Sequence, residues 1–120
     1  MKLFKRRGYE MTLNRIHDTI VIREGDEKLK LTVNGDAMRM VAGLTKAQEK
    51  MKALTNETPD EEVKAVSEYF AGVIFGREQA SKLMAFYSDD PGCVISVCGQ
   101  YFKDRLAEKI TQAQKRLKID

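Results

Sequence analysis

The sequence predicts an α+β fold that is mostly α, with an N-terminal β-hairpin followed by about four helices, the last of them long. Alternating β-branched residues near the N-terminus predict the hairpin. Apolar residues at spacings of three and four through the rest of the chain predict the helices, and capping residues divide that region. The 120 residues, of which 42% are apolar, are enough for one domain with a modest core.

The hairpin is predicted from two short segments rich in valine, isoleucine and threonine. Residues 19–23 and 29–33 alternate apolar and polar side chains, and residues 24–28 between them have the composition of a turn. Because an isolated two-stranded ribbon is marginal in water, its apolar face must lie on helices or extend another sheet. The sequence leaves open whether the hairpin packs within one copy or onto a neighbour.

Helix-starting and helix-ending residues delimit the next three helices. Asp36 is a suitable cap after the second strand, and Thr58 followed by Pro59 is a typical helix start. Gly76 is placed to end a helix with a positive φ, and Asp90 precedes the proline that opens the last helix. The predicted helical ranges are 37–54, 59–75 and 77–87.

The last helix is predicted over residues 91–118, with an apolar stripe that continues to Leu117. Such a helix would span ~42 Å at 1.5 Å per residue. A compact domain of this size is only ~35 Å across. We therefore expect one end to overhang the domain and to expose a narrow apolar row for self-association or for another helix. The residues expected in that contact are Phe102, Leu106, Ile110 and Leu117.

Residues 1–14 read as a flexible basic arm that precedes a single domain over residues 15–120. The net charge of +3 depends on this arm, because Lys2 and residues 5–7 supply four positive charges. Lys5, Arg6 and Arg7 could contact phosphates, which keeps a small DNA-binding or regulatory protein as an alternative. An ordinary solvated tail is the favoured interpretation, so nucleic acid is not the expected partner.

No set of residues points to catalysis or to a cofactor. His17 is the only histidine, and it has no companions at metal-ligand spacing. Cys93 stands where a helix dipole could activate a thiol, but the sequence offers no obvious base for it. We therefore expect no enzyme, no metal and no cofactor. With neither a signal peptide nor a membrane span in the sequence, a cytoplasmic protein is expected.

The second half of the sequence carries a longer pattern of aromatic, small and apolar residues. It resembles tail assembly chaperones of long-tailed bacteriophages and prophages of Gram-positive bacteria. The resemblance covers roughly residues 11–118 and consists of helical packing pattern. The residues that carry it are Tyr69-Phe70-Ala71-Gly72-Val73-Ile74-Phe75-Gly76, Lys82-Leu83-Met84-Ala85-Phe86-Tyr87, Asp90-Pro91, Tyr101-Phe102, Arg105-Leu106 and Lys109-Ile110.

This resemblance implies a protein of the bacterial host cell's cytoplasm that binds the long helical tape measure protein. It would keep the apolar stripes of that partner covered until tail-tube subunits polymerise around it, and it would associate into homo-oligomers. The tail-tube protein is a second partner that the resemblance implies. A minor tail structural protein from the same gene cluster is the nearest alternative.

Overall fold

A computed structural model of the protein describes residues 15–117, with only the backbone of Leu117 described. It confirms an α+β fold that is mostly α, in which a hairpin precedes four helices and the last helix is long. The predicted arm over residues 1–14 lies outside the described residues. The elements are β1 (Arg15–Glu24), β2 (Glu27–Asp36), α1 (Ala37–Lys52), α2 (Asp60–Phe75), α3 (Arg77–Phe86), α4 (Pro91–Tyr101), a π-helical turn (Phe102–Leu106) and α5 (Ala107–Leu117).

The hairpin is longer, and its turn tighter, than the sequence predicts. The strands pair antiparallel from Arg15 opposite Asp36 to Glu24 opposite Glu27, which leaves two residues to form the turn. Gly25 is one of them and has a φ of 60°, a conformation that glycine adopts without strain. The hairpin packs on the helices of its own copy, because its apolar face is buried there. The fully covered side chains are Ile16, Leu31 and Val33.

Two of the predicted helix caps are confirmed and one is wrong. A carboxylate oxygen of Asp36 accepts hydrogen bonds from the backbone N–H groups of Met38 and Arg39, at 2.8 and 3.1 Å. Asp90 caps α4 in the same way. Thr58 does not cap α2: its hydroxyl accepts a hydrogen bond of 2.8 Å from the backbone N–H of Thr55 in the preceding loop. No side chain caps α2, which begins with three acidic residues that suit its dipole.

Helix α2 is the centre of the core and contacts α1, α3, α4 and β2. Its buried face includes Phe70 and Ile74. α1 crosses α2 closely at Gly43, where a Cβ atom would lie only 2.8 Å from a methyl carbon of Val73. A glycine inside a helix carries a cost in stability, which predicts close helix approaches at Gly72 and Gly99 as well. That prediction is wrong, since a Cβ atom at either position would have no neighbour within 4 Å.

α4, the π-helical turn and α5 follow one another without a break, so residues 91–117 form the long last helix. The buried side chains Tyr101 and Leu106 are five residues apart. In a regular α-helix, the residue that shares a face with Leu106 would lie three or four positions before it, which includes Phe102. The π-helical turn adds one residue to the repeat and rotates Phe102 outward, where 36% of its surface is exposed.

The expected overhanging apolar row is not found in the described part of α5. Leu106 is fully buried, Ile110 is only 7% exposed and Ala113 is fully buried. α5 contacts α1 and β1, so the hairpin and the first helix of the same copy cover this row. β1 runs beside this helix, so the hairpin covers a part of it that a compact helical body would leave exposed.

Candidate partner-binding groove

An open groove of about 500 Å³ lies between α1 and the last helix. α1 forms one wall. Phe102, at the start of the π-helical turn, and three residues of α5 form the other. Phe70 of α2 contributes to the lining between them. We call this surface the α1 groove. Its lining residues are Val41, Leu44, Thr45, Gln48, Met51, Phe70, Phe102, Ala107, Ile110 and Thr111.

The α1 wall exists because that helix has a wider apolar face than its neighbours cover. Val41, Leu44 and Met51 share one side of α1 at helical spacing and are only half-buried. Met38 lies one turn before Val41 on the same side, and 57% of its surface is exposed. The apolar stripe of α1 therefore continues past the groove towards the start of the helix.

The π-helical turn shapes the opposite wall. It places Phe102 at the edge of the groove, whereas Ile110, two turns later, is nearly covered. A π-helical turn within an α-helix is uncommon and is frequently found at functional sites. In this chain the turn takes Phe102 out of the face that Leu106 buries and makes it an exposed aromatic group on the groove wall.

The chemistry of the α1 groove is that of a contact surface. None of the described residues that line it carries a charge, and its polar members are Thr45, Gln48 and Thr111. Parallel apolar positions on two helices form the kind of groove that accepts the apolar face of a third, amphipathic helix. Aromatic and methionine side chains such as Phe102 and Met51 adapt well to such a partner.

The other side of the last helix is closed by a polar cluster with the hairpin. The Tyr101 hydroxyl donates to a carboxylate oxygen of Asp18 at 2.8 Å, and Arg105 donates to both oxygens at 2.9 and 2.7 Å. The backbone N–H of Thr19 also donates to this carboxylate, at 2.9 Å. The Asp18 side chain is 6% exposed, so a buried carboxylate joins β1 to the last helix with its acceptors satisfied.

The hydrogen bonds of this cluster shift the pKa values of Asp18 and Tyr101 in opposite directions. Burial alone would raise the pKa of Asp18, but the hydrogen bonds from Arg105, Tyr101 and Thr19 outweigh it, and the pKa lies below its ordinary value. Burial, and then the hydrogen bond to Asp18, raises the pKa of the Tyr101 hydroxyl. Asp18 is therefore charged and Tyr101 neutral at physiological pH.

The structure separates the residues that the sequence placed in one contact. Phe102 and Ile110 line the α1 groove, but Leu106 does not, because it is buried in the core of its own copy. The expectation of an exposed apolar row is therefore wrong for Leu106 and for Ile110, of which only 7% is exposed, whereas a partner contact at Phe102 stays a prediction. The side chain of Leu117 lies outside the described residues, as do Lys5, Arg6 and Arg7.

The two cysteines lie in α4, with Cys93 partly buried near its start and Cys98 buried further along. The Cys93 thiol lies 3.5 Å from a carboxylate oxygen of Asp90, and burial followed by that contact raises the pKa of the thiol. Burial also raises the pKa of Cys98, to about 12. Within residues 15–117, no group of three or more histidine, cysteine, aspartate or glutamate side chains could hold a metal ion.

The sequence allowed a docking groove formed by Met38, Met40, Met51 and Met84 but favoured their burial in the core, and it did not reveal the Asp18 cluster. The amphipathic pattern of α1 was visible, but it does not tell how much of the stripe other helices cover. The cluster joins residues more than 80 positions apart, and Asp18 lies among the apolar residues of the strand face that packs on the helices. An acidic residue on that face was the one available signal of a buried polar partner.

In comparisons with known proteins, no family model, curated protein or solved structure matches this chain. The fold and the groove are therefore interpreted from their own geometry. None of the helices in the described part is both long enough and apolar enough to cross a membrane.

Proposed function

We propose that this protein is a non-enzymatic tail assembly chaperone of a long-tailed bacteriophage or prophage. In this proposal it binds an amphipathic helix of the tape measure protein in the α1 groove and self-associates. The tail-tube protein is a further partner of the proposed assembly. The host-cell cytoplasm is the proposed compartment, because phage tails assemble there.

The observation that carries the proposal is the uncharged, largely apolar groove between α1 and the last helix. A groove of about 500 Å³ is too small for a whole helix, but it fits the side chains of one helix face. Phe102 at its edge and the exposed Met38 beyond it extend the contact along the groove. A chaperone of a long helical protein needs such a surface, since it must cover apolar stripes without specific polar chemistry.

The resemblance of the sequence to tail assembly chaperones is the second support. It supplies the identity of the helical partner, which the groove alone does not specify. The two arguments overlap only in part. The resemblance rests on residues of α2, α3 and the last helix, whereas half of the groove-lining residues belong to α1, and only Phe70, Phe102 and Ile110 enter both.

The proposal is tested by co-expression with the tape measure protein of the phage that encodes this chain. Thr45→Glu places a carboxylate at an exposed position inside the groove without disturbing the core. Ala42→Glu is the matched control, since it adds the same charge to an exposed position of the same helix outside the groove lining. We expect wild type and Ala42→Glu to keep the tape measure protein soluble and to co-purify with it.

Thr45→Glu should lose both effects, because a buried unpaired carboxylate opposes docking of an apolar helix face. Circular dichroism of each variant shows whether the fold is kept. Failure of the wild-type protein to co-purify with its tape measure protein would contradict the proposal. Equal binding by Thr45→Glu and wild type would show that the α1 groove is not the docking site.

A further inference from the structure

The two edges of the hairpin differ in how their backbone groups are satisfied. On the β2 edge, the side-chain amide of Gln79 in α3 behaves like a neighbouring strand. Its oxygen accepts from the backbone N–H of Thr32 at 2.8 Å, and its nitrogen donates to the carbonyl oxygen of Thr32 at 2.7 Å. The same nitrogen donates to the carbonyl of Phe75 at 2.7 Å, which fixes its position. α3 therefore blocks this edge at Thr32.

The β1 edge has no such cover along most of its length. Thr19 is opposite Thr32, and the backbone groups of Thr32 point away from β1, so those of Thr19 point away from β2. Alternate residues share this direction, which gives Val21 and Arg23 outward N–H and C=O groups. Among the described residues, the outward groups of Val21 and Arg23 have no hydrogen-bond partner. The N–H of Thr19 is engaged by the carboxylate of Asp18 at 2.9 Å, and the carbonyl oxygen of Arg15, at the start of the strand, accepts from Arg116 at 3.4 Å.

We propose that the β1 edge pairs antiparallel with the β1 edge of a second copy of this chain, about a two-fold axis at Val21. The two hairpins then form one four-stranded sheet, which is a more stable unit than an isolated ribbon. This inference names the surface for the self-association in the proposed function. It does not depend on the α1 groove or on the tape measure protein.

The position of the axis follows from the hydrogen-bonding groups that are available. With Val21 opposite its mate, the two residues exchange both of their hydrogen bonds. Arg23 of the second copy then lies opposite Thr19 and donates its N–H to the free carbonyl of Thr19. The N–H of Thr19 keeps its bond to Asp18. The pairing thus uses unoccupied groups and breaks no existing bond.

Side chains and charges are compatible with this register. Val21 is 48% exposed on the outer face of the hairpin, and the pairing places it beside its mate. Such pairs of β-branched residues stabilise antiparallel strands. Glu24 of the second copy lies opposite Asp18, whose charge is already balanced by Arg105, a side chain that is 56% exposed. The strand therefore complements itself, which favours a second copy over an unrelated strand.

Proline substitutions on the two edges test the proposal. Val21→Pro removes one outward N–H of β1, while the N–H groups that bond β2 belong to the neighbouring residues. Lys30→Pro is the matched control, because Lys30 is the partner of Val21 across the hairpin and its N–H points to the opposite edge. In analytical ultracentrifugation we expect dimers for wild type and Lys30→Pro, and monomers for Val21→Pro.

A charge-pair experiment tests the register and leaves the backbone unchanged. Val21→Lys and Val21→Glu each place like charges opposite each other at the two-fold axis, so each variant alone should lose the dimer. An equimolar mixture should recover it as a heterodimer. A monomeric wild type, a dimeric Val21→Pro or a mixture that stays monomeric would overturn the proposal. Groove variants that lose the tape measure protein but stay dimeric would affect only the proposed function.

Discussion

The two sides of the last helix differ in how completely the rest of the molecule covers them. Towards the hairpin, the contact is closed by the Asp18 cluster and by the fully buried Leu106. Towards α1, the contact is open, with Phe102 exposed at the edge of a largely apolar groove. One helix therefore holds the fold together on one side and offers a docking surface on the other.

The π-helical turn produces this difference. Without the extra residue, Phe102 and Leu106, four positions apart, would lie on the same face of the helix. With it, Tyr101 and Arg105 reach Asp18 while Phe102 turns towards the groove. Successive residues thus face different surroundings, the buried Asp18 cluster on one side and the open groove on the other.

The largest effect is expected at Leu106, on the closed side. Leu106→Ala should destabilise the protein by about 2–5 kcal/mol, because it removes a fully buried side chain and leaves a cavity. Chemical denaturation followed by circular dichroism measures this free energy of unfolding. A loss below about 1 kcal/mol would mean that this side of the helix is not packed as described.

A smaller effect is expected at Asp18, where the closed side depends on charge. Asp18→Asn should lower the free energy of unfolding at neutral pH by about 1–2 kcal/mol, since hydrogen bonds to a buried carboxylate are lost. Asp104→Asn, the same change at an exposed position of the last helix, is the control. Equal stabilities of the two variants would contradict a structural role for the cluster.

The same cluster predicts a pH dependence with a defined sign. The pKa of Asp18 is lower in the folded protein than in the unfolded chain, where it is about 3.9. The stabilisation is therefore present above about pH 4 and is lost as the pH falls through the folded-state pKa. Urea denaturation below pH 4 should show a steeper loss of stability for wild type than for Asp18→Asn. Parallel curves would exclude this contribution.

The smallest effect on stability is expected at Phe102, on the open side. Phe102→Ala should cost only about 1 kcal/mol, because part of the side chain is already exposed to water. Its effect on helix binding should be larger, since an aromatic group at a groove edge is a typical anchor. Chemical denaturation measures the effect on stability, and titration with a helix of the proposed tape measure partner measures the effect on binding. A variant that unfolds as readily as Leu106→Ala would remove the contrast between the two sides.

The sequence was sufficient for the elements that depend on local chemistry. Asp36, Asp90 and Gly76 act within one turn of a helix end, and their predicted roles are confirmed. The π-helical turn could not be predicted in this way, because Phe102 fits a regular stripe equally well. The contact beside the turn, between Tyr101 and Asp18, joins residues 83 positions apart, which no local pattern reveals.

The groove was beyond sequence analysis for a related reason. The apolar stripe of α1 was evident, but whether it is covered depends on how the hairpin and α5 share the space beside it. The same arrangement overturned the expectation of an overhanging last helix, because Leu106 is fully buried and α5 contacts both β1 and α1. Hydrophobic periodicity identifies the apolar faces of helices, whereas the spatial arrangement of the elements decides which of those faces stay exposed.

The most direct test of the central claim is methyl NMR of the full chain, titrated with a helical fragment of the proposed partner, the tape measure protein. Methyl signals of Val41, Leu44 and Met51 should shift as the fragment binds, because they line the α1 groove. Those of Ile20 and Ile22, which pack on the hairpin side, should stay unchanged. Shifts centred on the hairpin, or none in the groove, would contradict a last helix with one closed and one open side.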